Sequence, residues 1–134
     1  MSMRRKHILL TDDNEDFLQS FAEGLSSDGE FEVFTAGNGG EALEILKAGR
    51  KIDLLVTDLE MPVMDGFELL THLKKDYPAI AAIVMTGHIT PKIKERLGAI
   101  GDYTCIEKPV GFGDLRQRIT DELRIHSKPG RKKT

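Results

Sequence analysis

The chain has 134 residues, of which 40% are apolar and 31% charged, as expected for one folded domain. It contains no run of roughly 20 apolar residues such as a membrane helix needs, and its basic start is not followed by the apolar stretch of a signal peptide. We therefore expect a cytoplasmic domain that does not contact membranes. A single cysteine excludes an internal disulfide and a cysteine zinc cage. The net charge of −3 includes seven positive side chains within residues 4–6 and 128–133, so residues 7–127 alone carry −10. This strongly acidic charge argues against direct nucleic-acid binding.

Hydrophobic periodicity alternates between the periods of strands and helices along the chain. Short apolar or β-branched runs predict strands, and apolar residues three and four apart predict helices. In chain order the pattern predicts strand 7–11, helix 14–26, strand 31–36, helix 42–49, strand 52–57, helix 67–77, strand 79–85, helix 91–100, strand 103–106 and helix 115–127. Five such units in a row predict an α/β fold in which helices cover both faces of a parallel sheet.

The domain boundaries follow from the same pattern. We expect one folded domain over residues 6–126. Residues 127–134 are polar and basic and contain Pro129-Gly130, so we expect a disordered tail or linker there.

Polar side chains follow four of the predicted strands. Asp12 and Asp13 follow the first strand, Asp58 the third, Thr86 the fourth and Lys108 the fifth. The carboxyl ends of parallel strands share one edge of the sheet, where ligand sites form. Two carboxylates about 6 Å apart repel by roughly 3 kcal/mol at an effective dielectric of about 20, so we expect a cation among them. Oxygen ligands without His or Cys favour Mg²⁺.

These residues also have ordinary interpretations. Asp12 and Asp13 are suited to capping the helix at 14–26, and Asp58 to an exposed loop. Because five residues of three chemical types converge on one edge of the sheet, we favour a shared cation site over these ordinary roles.

The same residues resemble the receiver domain of two-component response regulators, the CheY-like superfamily. The match consists of Asp12-Asp13, the Asp-x-x-Met-Pro-x-x-Asp-Gly pattern of residues 58–66, Met85-Thr86-Gly87 and Lys108-Pro109. It spans residues 6–126. It implies a doubly wound (βα)5, flavodoxin-like three-layer sandwich with a five-stranded parallel sheet in the order 2-1-3-4-5.

The resemblance implies a role for each matching residue. Asp58 would accept a phosphoryl group from a histidine of a sensor kinase or phosphotransfer protein. Thr86 would donate its hydroxyl to one phosphoryl oxygen, and Lys108 would neutralise another. In this family the peptide before Pro109 would be cis, and Gly87 would be small because it lies beside the path of the phosphoryl group.

The resemblance also implies a metal and a mode of action. Asp12, Asp13, Asp58 and the backbone carbonyl of Glu60 would hold Mg²⁺, or Mn²⁺ in its place. The protein would catalyse its own phosphorylation and slow dephosphorylation without being an enzyme in the usual sense. It would act as a monomer or weak dimer and switch conformation to control an output partner that the sequence does not identify.

Cys105 departs from the family pattern, which usually has Tyr or Phe at this position. A redox-sensitive switch is one interpretation, and a buried small hydrophobe is the one we favour. Tyr103 lies on the same face but nearer the start of the strand, so we predict weak coupling between Thr86 and the surface of the fourth helix and fifth strand.

Glu60 and His88 lie two residues after Asp58 and Thr86. Their side chains would reach over the path of the attacking water, where they could hydrogen-bond to each other or hold water and so change the rate of hydrolysis. The alternative is two solvent-exposed side chains.

Two other functions remain open. A receiver fold that only binds partners is disfavoured by the intact Asp58, Thr86 and Lys108. A Mg²⁺-dependent aspartyl phosphatase of the haloacid-dehalogenase type needs a second acid followed by Thr or Val, which Glu60-Met61 does not supply.

Overall fold

The structure, a computed structural model, describes residues 5–127. Strands and helices alternate throughout these residues. Their bounds are β1 Lys6–Thr11, α1 Glu15–Ser26, β2 Phe31–Ala36, α2 Gly39–Lys47, β3 Leu54–Asp58, α3 Gly66–Asp76, β4 Ala81–Thr86, α4 Pro91–Ile100, β5 Thr104–Glu107 and α5 Phe112–Ser127. No helix within the described part of the chain is long and apolar enough to cross a bilayer.

The five strands form one parallel sheet in the order β2-β1-β3-β4-β5. Every residue of β3 and β4 is buried, which explains why these segments read as continuous apolar runs rather than as alternating patterns. The predicted α/β fold, its parallel sheet and its strand order are confirmed.

The core has two halves, one on each face of the sheet. Leu18 of α1 and Ile119 of α5 pack with Leu10 on one face. Leu43 of α2 and Leu70 of α3 pack on the other face, together with α4. Successive strand residues point to opposite faces, so each strand contributes to both halves and the three-layer sandwich is confirmed.

Two strands begin and end later than predicted. β3 is Leu54–Asp58 and β4 is Ala81–Thr86. The N–H of Ile80 donates to the carbonyl of Tyr77 at 3.1 Å, which keeps Ile80 in the turn after α3. Asp58 and Thr86 are the last residues of β3 and β4. The sheet therefore holds both residues, whereas the prediction placed them just after the strands.

Asn14 caps α1, so the interpretation of Asp12 and Asp13 as caps is wrong. The side chain of Asn14 accepts the N–H of Phe17 at 3.0 Å, and the helix begins at Glu15. A short polar side chain immediately before the first turn satisfies its free N–H groups best. The two aspartates are left outside the helix.

Residues 128–134 lie outside the described residues, and Ser127 is the last residue of α5. The tail or linker proposed there stays a prediction.

Gly66 allows the start of α3 to pack directly on the end of β3. Its N–H donates to the carbonyl of Leu59 at 2.9 Å. A Cβ on Gly66 would lie 2.5 Å from the carbonyl oxygen of Asp58 and 2.7 Å from Cα of Leu59. Both neighbours are backbone atoms, so neither can move without displacing the end of β3.

We predict opposite effects for alanine at two glycines. Gly66→Ala should lower the free energy of unfolding by about 2 kcal/mol or more, because it overpacks backbone against backbone. Gly98→Ala in α4 should raise it by about 0.5–1 kcal/mol, since a Cβ there meets nothing within 4 Å. Urea unfolding of both variants measures the difference, and a neutral Gly66→Ala would contradict the tight packing at Asp58.

Candidate functional site

Three carboxylates meet at the carboxyl edge of the sheet. Asp12 and Asp13 follow β1, and Asp58 ends the neighbouring strand β3. One carboxylate oxygen from each lies within 4.8 Å of the others. Asp12 and Asp58 are buried and Asp13 is exposed, so solvent reaches the cluster on the side of Asp13. A set of oxygen donors without His or Cys fits a hard divalent cation.

Lys108 reaches into this cluster from the end of β5. Its Nζ lies 3.1 Å from Oδ2 of Asp12 and 3.0 Å from Oδ2 of Asp58. Desolvation lowers the pKa of Lys108, but the hydrogen bonds and charges of Asp58 and Asp12 raise it more, so the pKa lies above its ordinary value. The ammonium is therefore held in its charged form.

One ammonium does not compensate three carboxylates. Burial raises the pKa of Asp12 above its ordinary value of 3.8. Hydrogen bonds from the N–H of Asn14 and from Lys108 oppose this shift, and the nearby charge of Asp58 adds to it. The site thus lacks positive charge, which a bound cation would supply.

The carboxylate of Asp58 is held at both oxygens. Oδ2 accepts from Lys108, and Oδ1 accepts the N–H of Glu60 at 3.3 Å. The N–H of Leu59 donates to the carbonyl of Met85 at 2.9 Å, which ties the start of the following loop to β4. These bonds fix the orientation of the carboxylate before any ligand binds.

Thr86 is buried at the end of β4, on the strand next to Asp58. Its carbonyl accepts the N–H of Lys108 at 2.8 Å, and its hydroxyl accepts the N–H of His88 at 3.4 Å. The Lys108–Pro109 peptide is cis. The backbone of Thr86 therefore positions the residue that contacts Asp58.

His88 pairs with Glu107 rather than with Glu60. Its Nδ1 lies 3.5 Å from Oε2 of Glu107, and the same oxygen accepts the N–H of Ile89 at 3.2 Å. The side chain of Glu60 is exposed, and its backbone faces Asp58. The hydrogen bond considered between His88 and Glu60 is not present among residues 5–127.

The sequence did not predict the contacts of Glu107, because a polar residue at the end of a strand is ordinary. Two signals point to it. It directly precedes Lys108, and it is the register partner of Thr86 across the β4–β5 ladder. The second signal requires the strand register, which periodicity alone does not give.

Phe17 of α1 also lies beside the site. Lys108 Nζ lies 5.6 Å from the centroid of its ring, and the ring stacks on Phe21 at 4.2 Å. The aromatic face lies beside the charged end of the lysine, where it favours the ammonium.

Cys105 packs against the core half that contains α2, α3 and α4. Burial raises the pKa of its thiol, Lys94 lowers it less, and Glu107 raises it further. A raised thiol pKa lowers the fraction of reactive thiolate, which favours the interpretation as a small hydrophobe. Tyr103 packs on the same side.

A Cβ on Gly87 would meet nothing within 4 Å, so the space beside it is open.

Residues 8–120 match the family model described as the response regulator receiver domain. The chain is 35% identical over 125 residues to the transcriptional regulatory protein GlrR of Escherichia coli, covering 92% of this chain and 27% of that protein. It is 29% identical to sporulation initiation phosphotransferase F of Bacillus subtilis, covering 93% of this chain and 99% of that protein.

Solved structures give the same result. A crystal structure of a CheY-like response regulator receiver domain protein from Methanospirillum hungatei superimposes with a TM-score of 0.88 at 31% identity. The match covers 95% of this chain and all of that one. The chain therefore spans the whole of some relatives and about a quarter of others, such as GlrR.

Asp12→Asn should stabilise the metal-free protein. Since folding raises the pKa of Asp12, its ionisation costs folding free energy at pH values above that pKa, and the cost disappears as the pH falls through it toward 3.8. Lys108 keeps its contact with Asp58. We expect the free energy of unfolding to rise at pH 7 in EDTA.

The gain should shrink on acidification in urea titrations. Mg²⁺ should raise the stability of the wild type more than that of the variant, because ligands that bind only the folded state stabilise it. Glu23→Gln, at an exposed acid of α1, is the matched control. A gain that is independent of pH would contradict the assignment to Asp12.

Proposed function

The chain belongs to the family of response regulator receiver domains of two-component signalling, and we propose that it accepts a phosphoryl group on Asp58 in a Mg²⁺-dependent reaction. The observation that carries the proposal is the contact of Lys108 with Asp58 at 3.0 Å, within a cluster of three carboxylates. Phosphoryl transfer depends mainly on positioning and charge neutralisation, and this arrangement provides both.

The metal would be held by Asp12, Asp13 and Asp58, with the backbone carbonyl of Glu60 as a further ligand. The three side chains fit because they offer oxygen atoms within 4.8 Å of one another. Bound there, Mg²⁺ or Mn²⁺ would neutralise phosphoryl oxygens and orient the phosphoryl group.

The protein's own side chains would carry the transfer. A carboxylate oxygen of Asp58 forms a bond to phosphorus as the bond from phosphorus to the donor's imidazole nitrogen breaks, and that nitrogen takes up a proton. Lys108 neutralises one phosphoryl oxygen. The hydroxyl of Thr86 donates to another, and the open space at Gly87 admits the group.

The partners follow from this chemistry. The donor would be a phosphohistidine of a sensor kinase or phosphotransfer protein, and the phosphorylated domain, residues 6–126, would bind an output partner in the cytoplasm. We expect a monomer or weak dimer. The name of the Bacillus subtilis relative, a phosphotransferase, supports a place in phosphoryl transfer.

Incubation with acetyl phosphate and Mg²⁺ should add the mass of one phosphoryl group to the intact protein. Asp58→Asn should abolish the adduct and EDTA should prevent it. Lys108→Ala should slow uptake by about tenfold or more, because a positioned charge is lost. Asp16→Asn, at an exposed acid of α1, should react like the wild type.

Intact-protein mass spectrometry over time measures all four proteins. No adduct on the wild type would reject the proposal in favour of a receiver fold that only binds partners. Continuous release of phosphate without an adduct would favour a phosphatase.

The phosphoryl mimic beryllofluoride should shift backbone amides unevenly. We expect large changes near Asp58 and Thr86, and small ones near Cys105, Lys94 and Leu97, because a cysteine fills less space than the aromatic side chain usual at that position. Amide NMR spectra with and without the mimic test this. Changes at Cys105 as large as those at the site would refute weak coupling.

A further inference from the structure

We propose that Glu107 is a positioning residue, which holds His88 and the β4–α4 loop on the β5 side of the site and so prolongs the life of the phosphoryl group on Asp58. The inference rests on the proposed function and adds a determinant of phosphoryl lifetime.

A single carboxylate oxygen makes both contacts. Oε2 of Glu107 accepts the N–H of Ile89 at 3.2 Å and lies 3.5 Å from Nδ1 of His88. The first contact anchors the backbone just after His88, and the second places the His88 ring beside the carboxylate of Glu107. Backbone and side chain of the loop are thus held toward β5 together.

The strand register makes this arrangement specific. Glu107 lies opposite Thr86 in the β4–β5 ladder, so its side chain is level with the first residues of the β4–α4 loop. The N–H of His88 donates to the hydroxyl of Thr86 at 3.4 Å. The loop that Glu107 contacts is therefore the one whose backbone donates to this hydroxyl.

Glu107 does not compete with the acidic cluster for Lys108. The ammonium of Lys108 contacts Asp12 and Asp58, although Glu107 is its neighbour in the chain. The side chain of Glu107 is half exposed at 49% and that of His88 is 81% exposed. Solvent at these positions leaves His88 free to turn when Glu107 is removed.

The sheet order gives the direction of the effect. β4 lies between β3, which carries Asp58, and β5, which carries Glu107. Held toward β5, the imidazole of His88 is directed away from Asp58. Once released, it can reach the path of the attacking water from its position two residues after Thr86.

In hydrolysis, the water oxygen bonds to phosphorus while the bond between phosphorus and the Asp58 oxygen breaks, and inorganic phosphate leaves. A neutral imidazole near that water accepts one of its protons in the transition state and speeds the step. Glu107 slows hydrolysis because it keeps this base away.

The lifetime of the phosphoryl group at one fixed pH tests the proposal. Exposed ion pairs are weak, so we expect Glu107→Ala to shorten the lifetime by about threefold. His88→Ala should change it little, because the ring is already held away. The double variant should return to the wild-type lifetime, since the released base is absent.

Two further variants separate positioning from a general structural effect. Glu107→Gln keeps an oxygen that can accept the N–H of Ile89, so it should restore part of the lifetime. Glu95→Ala removes an exposed acid of α4 and should leave the lifetime unchanged. An equal effect of His88→Ala with and without Glu107 would overturn the proposal.

Hydrogen exchange of the Ile89 amide tests the contact without phosphorylation. Exchange should be faster in Glu107→Ala and close to wild type in Glu107→Gln. Exchange that does not depend on Glu107 would overturn the inference alone, whereas a wild type that takes up no phosphoryl group would overturn the proposed function and, with it, the effect on lifetime.

Discussion

The carboxylates of Asp12, Asp13 and Asp58 repel one another, and the fold holds them together nonetheless. Their oxygens lie within 4.8 Å of one another, and two of the side chains are buried. Two features oppose the repulsion. Lys108 contributes a positive charge from the end of β5, and the buried apolar strands beneath contribute hydrophobic stabilisation. The charged edge is thus supported by both halves of the core.

The parallel register is what turns separate strand ends into one site. Asp58 ends β3, Thr86 ends β4, and the carbonyl of Thr86 accepts the N–H of Lys108 at 2.8 Å. Gly66 completes the arrangement because it lets α3 begin against the backbone of Asp58. Backbone contacts therefore place Asp58, Thr86 and Lys108 relative to one another.

The sequence predicted the order of elements and the residues at the strand ends, because burial and chain direction determine both. It did not predict which polar residue pairs with which. Asn14 rather than an aspartate caps α1, and His88 contacts Glu107 rather than Glu60. These choices depend on the register of β4 with β5 and on one-residue differences at helix starts. Neither quantity affects the hydrophobic pattern.

The positive charge of Lys108 limits how much the net charge of the site would change on modification. Its pKa lies above the ordinary value, so the ammonium is charged at neutral pH. With a divalent cation, the three carboxylates and this ammonium sum to about zero. In the proposed reaction a phosphoryl group of roughly two negative charges would replace one carboxylate charge, so the sum would change by only about one unit. The proposed modification would therefore act mainly through altered hydrogen bonds, and the long-range electrostatic field of the domain would stay nearly the same.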